Sequence, residues 1–178
     1  MHPDLRETTS DDMSALEALY RSAFPQENLI PLVRRLLDDM GNVLSLAAIR
    51  DGHIFGHIAF TNCEISPSGD GIALLGSLAV APAAQNQGIG RRLVHGGLER
   101  LASMGCRQVQ VLGDPDYYRR FGFEQDDHVT PPYDLPEAWH PAWQSVLLTR
   151  NGGGLKGRLS VLSAWQEKSL WLPWYRVA

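Results

Sequence analysis

From Ile72 to Val80 the chain is almost continuously apolar, and after four more residues it enters Gln85-Asn86-Gln87-Gly88-Ile89-Gly90. A run of that kind fits a central strand buried on both faces. Beyond the glycines, Ile89, Leu93, Val94, Leu98 and Leu101 form a stripe at helical spacing, and Gly105 stands where a left-handed cap would close the helix. Gln108 to Leu112 is then expected as a strand parallel to the first, because a strand-helix-strand connection within one sheet crosses over in that way.

The loop between strand and helix carries chemistry. The first N–H groups of a helix have no partner within it and lie at the positive end of its dipole, so the position suits an anion. Glycine at 88 and 90 lets a phosphate approach the backbone, and Arg91 and Arg92 add charge. A tight turn that uses its glycines for geometry alone would show the same residues. Two nucleotide motifs are excluded. A P-loop needs Lys and then Ser or Thr after its last glycine, whereas Arg91 follows Gly90. The dinucleotide fingerprint needs a third small residue where Leu93 stands.

Elsewhere the pattern is mixed. Ser10, Asp11 and Asp12 can cap a helix carrying Met13, Leu16, Leu19 and Tyr20 to about Phe24, and Leu29, Leu32, Val33, Leu36 and Leu37 mark a second helix ended by Gly41. Val43 to Ile49 and His53 to Cys63 read as strands joined at Asp51-Gly52. The stretch Ser66-Pro67-Ser68-Gly69-Asp70-Gly71 breaks the chain before the buried run. A short helix is expected around Asp116 to Arg120, and residues 129 to 141, with four prolines, as a loop. Trp143 to Thr149 and Gly157 to Leu162 bracket Asn151-Gly152-Gly153-Gly154 and suggest a late hairpin.

At 178 residues, 44% hydrophobic and 20% charged, the chain fits a single folded domain over 1–178, with its core in about 5–125 and C-terminal strands and tail in 126–178. A net charge of −4 and a pI of about 5.8 argue against a general nucleic-acid binder. Cys63 and Cys106 lie in apolar segments without metal or redox spacing, so buried free thiols are expected. The polar N-terminus carries no signal-peptide pattern and no apolar stretch approaches the roughly 20 residues that span a bilayer, so no membrane partner and a cytoplasmic location are expected.

The stretch from Leu75 to Leu93 resembles the acyl-CoA signature of GNAT N-acetyltransferases, which reads Gln or Arg, two residues, Gly, one residue, then Gly or Ala. Gln85, Gly88 and Gly90 fill its three slots. The resemblance implies an α/β (α+β) fold, a mixed and largely antiparallel sheet with splayed central parallel strands flanked by helices. It also implies acetyl-CoA as co-substrate, its pyrophosphate held by backbone N–H groups from Gln87 through Gly88, Ile89, Gly90 and Arg91 to Arg92. The main chain of Leu78, Ala79 and Val80 is implied to pair with the pantetheine arm. A second segment, Gly113-Asp114-Pro115-Asp116-Tyr117-Tyr118-Arg119-Arg120-Phe121-Gly122-Phe123, looks like a bacterial subgroup of the family. There a Tyr commonly stands four residues before the Gly of a closing Gly-Phe pair, which selects Tyr118. Many members carry an Asn that bonds the pantetheine arm in the region where this chain has Gly113-Asp114-Pro115, a departure from the family pattern.

The activity implied is direct transfer of acetyl to an amine, either a small molecule or a protein amino group. The alternative is an acyl-CoA sensor or partner-binding module without turnover. Tyr118 would protonate the departing thiolate; the competing role is a core tyrosine that anchors the short helix. Glu64, His57, Asp126 and His128 are conceivable bases, and a water chain would need none of them. His53 and His57 share a face of an ideal strand but stand roughly 13 Å apart, too far for chelation by themselves, and no metal is expected. All five tryptophans lie in the last forty residues, where packing is favoured over an acceptor pocket or dimer contact; Trp171 and Trp174 are the best candidates for a homodimer interface.

Overall fold

Asp51 and Gly52 both take positive φ, 52° and 77°, the turn geometry that reverses a strand without splaying its partner. In this computed structural model, which describes residues 4–149 and 153–171, that turn joins β2 (Val43–Arg50) to β3 (His53–Ser66) in antiparallel register. A further strand, β1 (Asp4–Glu7), pairs with β2. Its residues are mostly exposed and show no apolar alternation, so only the pairing reveals it.

The chain divides into two units. One holds the described residues up to Thr61 together with Gly76–Glu99, and the other holds Asn62–Leu75 and the described residues from Arg100 onward. In the first, α1 (Met13–Ala23) and α2 (Ile30–Asp38) bury Leu16, Leu19, Tyr20, Leu29, Val33 and Leu37 in one cluster. Ala79 of β4 (Asp70–Val80) belongs to the same cluster. Each large apolar side chain buried here contributes roughly 1.5–3 kcal/mol. The turn ahead of α1 is capped at Thr9 rather than Ser10. The Thr9 N–H donates to Asp12 Oδ2 at 2.8 Å, and Asp12 also receives both Arg6 guanidinium nitrogens at 2.7 Å.

Helix α3 (Ile89–Ser103) sits close on β3 because two glycines leave room. A Cβ on Gly56 would meet Ile89 Cγ2 at 2.8 Å and Leu93 Cδ1 at 2.9 Å, and one on Gly97 would meet Phe60 at 2.1 Å. The first turn of α3 is thereby seated on β3 at Gly56.

In the second unit, β4 runs parallel to β5 (Gln108–Leu112), with Ala73, Leu74 and Leu75 opposite Val109, Gln110 and Val111. β4 continues to Val80 past its last pairing with β5. The helix expected around 116–120 is α4 (Pro115–Tyr118) followed by a 3-10 turn over Arg119–Phe121. The segment expected as a loop from 129 to 141 contains a 3-10 stretch, Glu137–Ala142, and a short strand. With β6 (Glu124–Gln125), β7 (Val129–Thr130), β8 (Trp143–Leu147) and β9 (Gly157–Ser160), the strands complete a mixed α/β fold.

The late hairpin does not form. β8 pairs antiparallel with β5 and β6, while β9 pairs antiparallel with β3 and parallel with β7. Each strand goes where its apolar residue finds a buried partner: Leu159 lies opposite Ile65, and Trp143 opposite Leu112. Asn151 and Gly152 of the expected turn lie outside the described residues. Among the described residues no helix is long and apolar enough to cross a membrane.

Candidate functional site

In the first unit, β4 ends at Val80 and the chain turns through a 3-10 segment at Pro82–Ala84 before α3 begins. The Ala81 N–H donates to Phe55 O at 2.9 Å, and the Gln85 side-chain amide donates to Val80 O at 3.2 Å. Gln87 Nε2 reaches Ala83 O at 3.0 Å. Both glutamines therefore brace the loop from within. The side chain of Gln85, expected from sequence at the cofactor, is thus turned to the Val80 carbonyl, which accepts its bond.

Asn86 and Gly88 take positive φ, 59° and 80°. Asn is one of the few side chains that tolerates this region, and glycine enters it freely. These two reversals turn the backbone into α3, whose first internal bond runs from Arg92 N to Gly88 O at 3.0 Å. The N–H groups of Gly88, Ile89, Gly90 and Arg91 precede that bond and are the donors a helix start offers to an anion. The Arg92 N–H is used by the helix, so the row stops one residue short of the expected span. Ile89 contributes only its backbone, because its side chain is buried against Gly56. The side chains of Arg91 and Arg92 are exposed, and no atom lies within 4 Å of a Cβ built on Gly88. An open row of donors flanked by two guanidinium groups fits a pyrophosphate.

Upstream on β4, Ser77 has φ 70°. This conformation costs a residue with a Cβ roughly 1–2 kcal/mol. The Tyr20 hydroxyl contacts both the Ser77 hydroxyl and, at 3.4 Å, the Ser77 carbonyl. Behind Tyr20, His57 Nδ1 lies 2.7 Å away, His57 Nε2 meets Ser45 Oγ at 2.7 Å, and Thr8 Oγ1 donates to Ser45 Oγ at 2.6 Å. Sequence reasoning missed this chain. Its signal was polar residues, Ser45, His57 and Ser77, inside runs whose pattern is apolar. Burial drives the His57 pKa down to about 3 and the Tyr20 hydroxyl well above its usual value.

His57 and His53 do not share a face. The register shifts in β2–β3 between Ala48 and Ile49, so Arg50 opposes His53 while Ala47 opposes His57. His57 is buried and His53 exposed as a result. Of the other base candidates, Glu64 and His128 are exposed, whereas Asp126 is buried. Its carboxylate accepts from Gln108 and Gln110 side chains at 3.0 Å each and from the His128 and Val129 N–H groups at 2.7 and 3.1 Å. That carboxylate is committed to holding β5 to the β6–β7 turn.

In the second unit, Tyr118 is buried, and its ring packs on Phe123 and Tyr117 with centroids 5.5 and 5.0 Å apart. A Cβ on Gly113 would lie 2.4 Å from Tyr118 Cε2, so only glycine accommodates the ring there. Asp114 caps α4 by accepting the Asp116 N–H at 2.9 Å, and Pro115 starts the helix. The Gly-Asp-Pro departure from the family pattern thus seats Tyr118.

A cavity of about 360 Å³ in this unit is lined by Asp126, Asp127, Asp134, His140, Trp143 and Arg158 among others. Its three carboxylates oppose a polyphosphate. Trp171 packs in T-shaped contacts with Trp143 and Trp165, and its indole donates to Trp165 O at 2.8 Å. Trp171 is 3% exposed, buried by its own chain and unavailable as a dimer surface. Trp174 lies outside the described residues. Cys63 is buried and Cys106 half-buried, and both are free thiols whose pKa burial raises.

A strand that runs into a helix N-terminus, within a mixed sheet flanked by helices, is an architecture this chain shares with solved acetyltransferases. The Acetyltransferase (GNAT) family matches residues 13–123. The uncharacterized N-acetyltransferase YjhQ of Escherichia coli K12 is 36% identical over 159 residues, 85% of this chain and 88% of its own length. YhbS of the same organism is 35% identical over 131 residues, 72% and 75% of the two chains. The crystal structure of E. coli YhbS in complex with CoA matches with a TM-score of 0.83 at 28% identity, covering 92% of each chain. A GNAT family acetyltransferase from Brucella melitensis in complex with acetyl-CoA matches with a TM-score of 0.74 at 29% identity, over 92% of this chain and 97% of that one. The chain belongs to the GNAT family of acetyltransferases.

Proposed function

We propose that the chain transfers the acetyl group of acetyl-CoA to a primary amine. The observation that carries this reading is the donor row of Gly88, Ile89, Gly90 and Arg91 at the end of β4. Its support comes from relatives of similar fold that hold CoA and acetyl-CoA. In this reading the pyrophosphate rests on that row together with the Gln87 N–H, and the guanidinium groups of Arg91 and Arg92 balance its charge. The pantetheine arm runs along the main chain of Leu78, Ala79 and Val80. Bound there, acetyl-CoA supplies an acetyl group activated as a thioester.

The chain's own part is orientation and proton transfer. Tyr118 is assigned as the proton donor to the departing sulfur, with Gly113 and Phe123 fixing its ring. The acceptor, a small-molecule amine or a protein amino group, must lose its proton before it attacks. His57 and Asp126 have their polar atoms committed, which leaves Glu64, His128 or a water chain for that step.

Calorimetric titration of CoA into wild type and into Arg91→Ala/Arg92→Ala tests the assignment. Loss of charge-assisted contacts weakens binding by about tenfold or more. Equal affinity in the folded double variant would move the pyrophosphate elsewhere, and no binding to wild type would end the reading.

A further inference from the structure

The buried chain Thr8–Ser45–His57–Tyr20–Ser77 has one consistent direction. Thr8 Oγ1 donates to Ser45 Oγ, which leaves the Ser45 proton for His57 Nε2. The imidazole then carries its proton on Nδ1 and donates to the Tyr20 oxygen, whose own proton goes to Ser77. All five members except Ser77 are buried, and the only member in a left-handed backbone conformation is Ser77. Tyr20 is itself fixed by packing, at 1% exposure, in the cluster that includes Ala79 of the same strand. A serine at φ 70° persists only where its surroundings over-determine it, and contact to both its hydroxyl and its carbonyl does so.

The place of Ser77 gives this device a function. If the pyrophosphate sits beyond Val80, an arm running back along Val80, Ala79 and Leu78 brings its acyl end to Ser77, at roughly 3.3 Å per residue. We propose that Tyr20 and His57 are a positioning pair for acetyl transfer: they hold Ser77 in its left-handed conformation and so aim the β4 backbone groups that receive the thioester carbonyl. This rests on the cofactor reading given above. The chain is not a path for the substrate's proton, because it ends at Thr8, which is 2% exposed, and no member carries a charge.

The experiment compares acetyl-CoA with free CoA by calorimetry in wild type, Tyr20→Phe, Ser77→Ala and Tyr20→Phe/Ser77→Gly. Free CoA lacks the thioester carbonyl, so its affinity stays within twofold throughout. Tyr20→Phe and Ser77→Ala lower acetyl-CoA affinity about fivefold, the worth of one neutral hydrogen bond. Ser77→Gly in the Tyr20→Phe background restores the ratio to within twofold of wild type, because glycine reaches φ 70° unaided. Ser77→Ala leaves the rest of the buried chain intact, so it reads the same effect should Tyr20→Phe fail to fold. An unchanged acetyl-CoA to CoA ratio in the single variants, or no recovery on adding Ser77→Gly, would overturn the positioning role. A wild type that binds neither ligand would overturn the cofactor reading beneath it, and an equal fall for both ligands would reduce Tyr20 to packing.

Discussion

The edge of the Phe60 ring on β3 occupies the space that a side chain at position 97 of α3 would need: a Cβ on Gly97 would sit 2.1 Å from Phe60 Cε2 and 2.4 Å from Cζ. Gly97→Ala therefore forces α3 off the strand. Overpacking of this kind costs about 1–3 kcal/mol, read as a lower urea midpoint with little change in slope. The same shift displaces the N-terminal donors of α3, so CoA affinity falls as well. Phe60→Leu removes the opposing ring edge, and a double-mutant cycle gives a favourable coupling between the two substitutions. Additive penalties would show that Phe60 does not set the height of the helix.

Tyr118→Phe keeps the ring that fills the space against Gly113 and Phe123 and removes only the hydroxyl. CoA affinity and melting temperature change little, while the rate at saturating acetyl-CoA falls by about 10²–10⁴ if proton donation to the thiolate is its role. Gly113→Ala supplies an independent arm: it keeps the hydroxyl but pushes the ring away from a contact of 2.4 Å. Its loss of rate should follow that of Tyr118→Phe. Thiol release at the wild-type rate in both variants would make Tyr118 a core residue only.

Much of this architecture was legible from spacing. The Asp51-Gly52 turn, the stripe from Ile89 to Leu101 and the parallel return at Gln108 each follow from a local rule, and local rules hold where a residue's own conformation decides the outcome. What escaped was decided at a distance. β1 has no pattern of its own and exists through β2, and β8 and β9 pair with strands far away in sequence instead of with each other. The site divides in the same way. The loop donors were readable because glycines and a helix start announce them. The Ser77 conformation and its buried support arise from Thr8, Tyr20, Ser45 and His57, separated by 37 residues at two of the contacts. The irregularity near Phe55 that sends His53 and His57 to opposite faces leaves no mark in the pattern.

Asp12 receives two Arg6 nitrogens and the Thr9 N–H, and the Arg6 bond foremost lowers its pKa to about 2. A carboxylate whose folded pKa lies below its unfolded value stabilises the fold above about pH 4, and that contribution is lost as pH falls toward 2. Half-exposure of Arg6 reduces the effect to on the order of 1–2 kcal/mol. Asp12→Asn should lower stability at pH 7 by this amount and flatten the dependence between pH 4 and 2 in urea melts. An unchanged acid limb would assign it to other carboxylates.

His57 titrates in the opposite sense to an exposed histidine that gains an acidic partner. Burial lowers its folded pKa to about 3, with only a weaker opposing pull from Asp12, against about 6.5 in the unfolded chain. Below pH 6.5 the unfolded state binds the proton and the folded state does not, so stability declines as pH falls from about 6.5 toward 3. Between pH 5 and 8 the folded protein should then show a His57 imidazole that stays neutral with its proton on Nδ1, as the hydrogen bonds to Tyr20 and Ser45 require. Nitrogen-detected NMR of labelled histidine reads both properties. His57→Gln should remove the stability slope between pH 6.5 and 5 while leaving the Asp12 limb below pH 4 in place. A His57 resonance that moves with a midpoint near 6.5, or a proton found on Nε2, would break the donor order on which the Ser77 support depends.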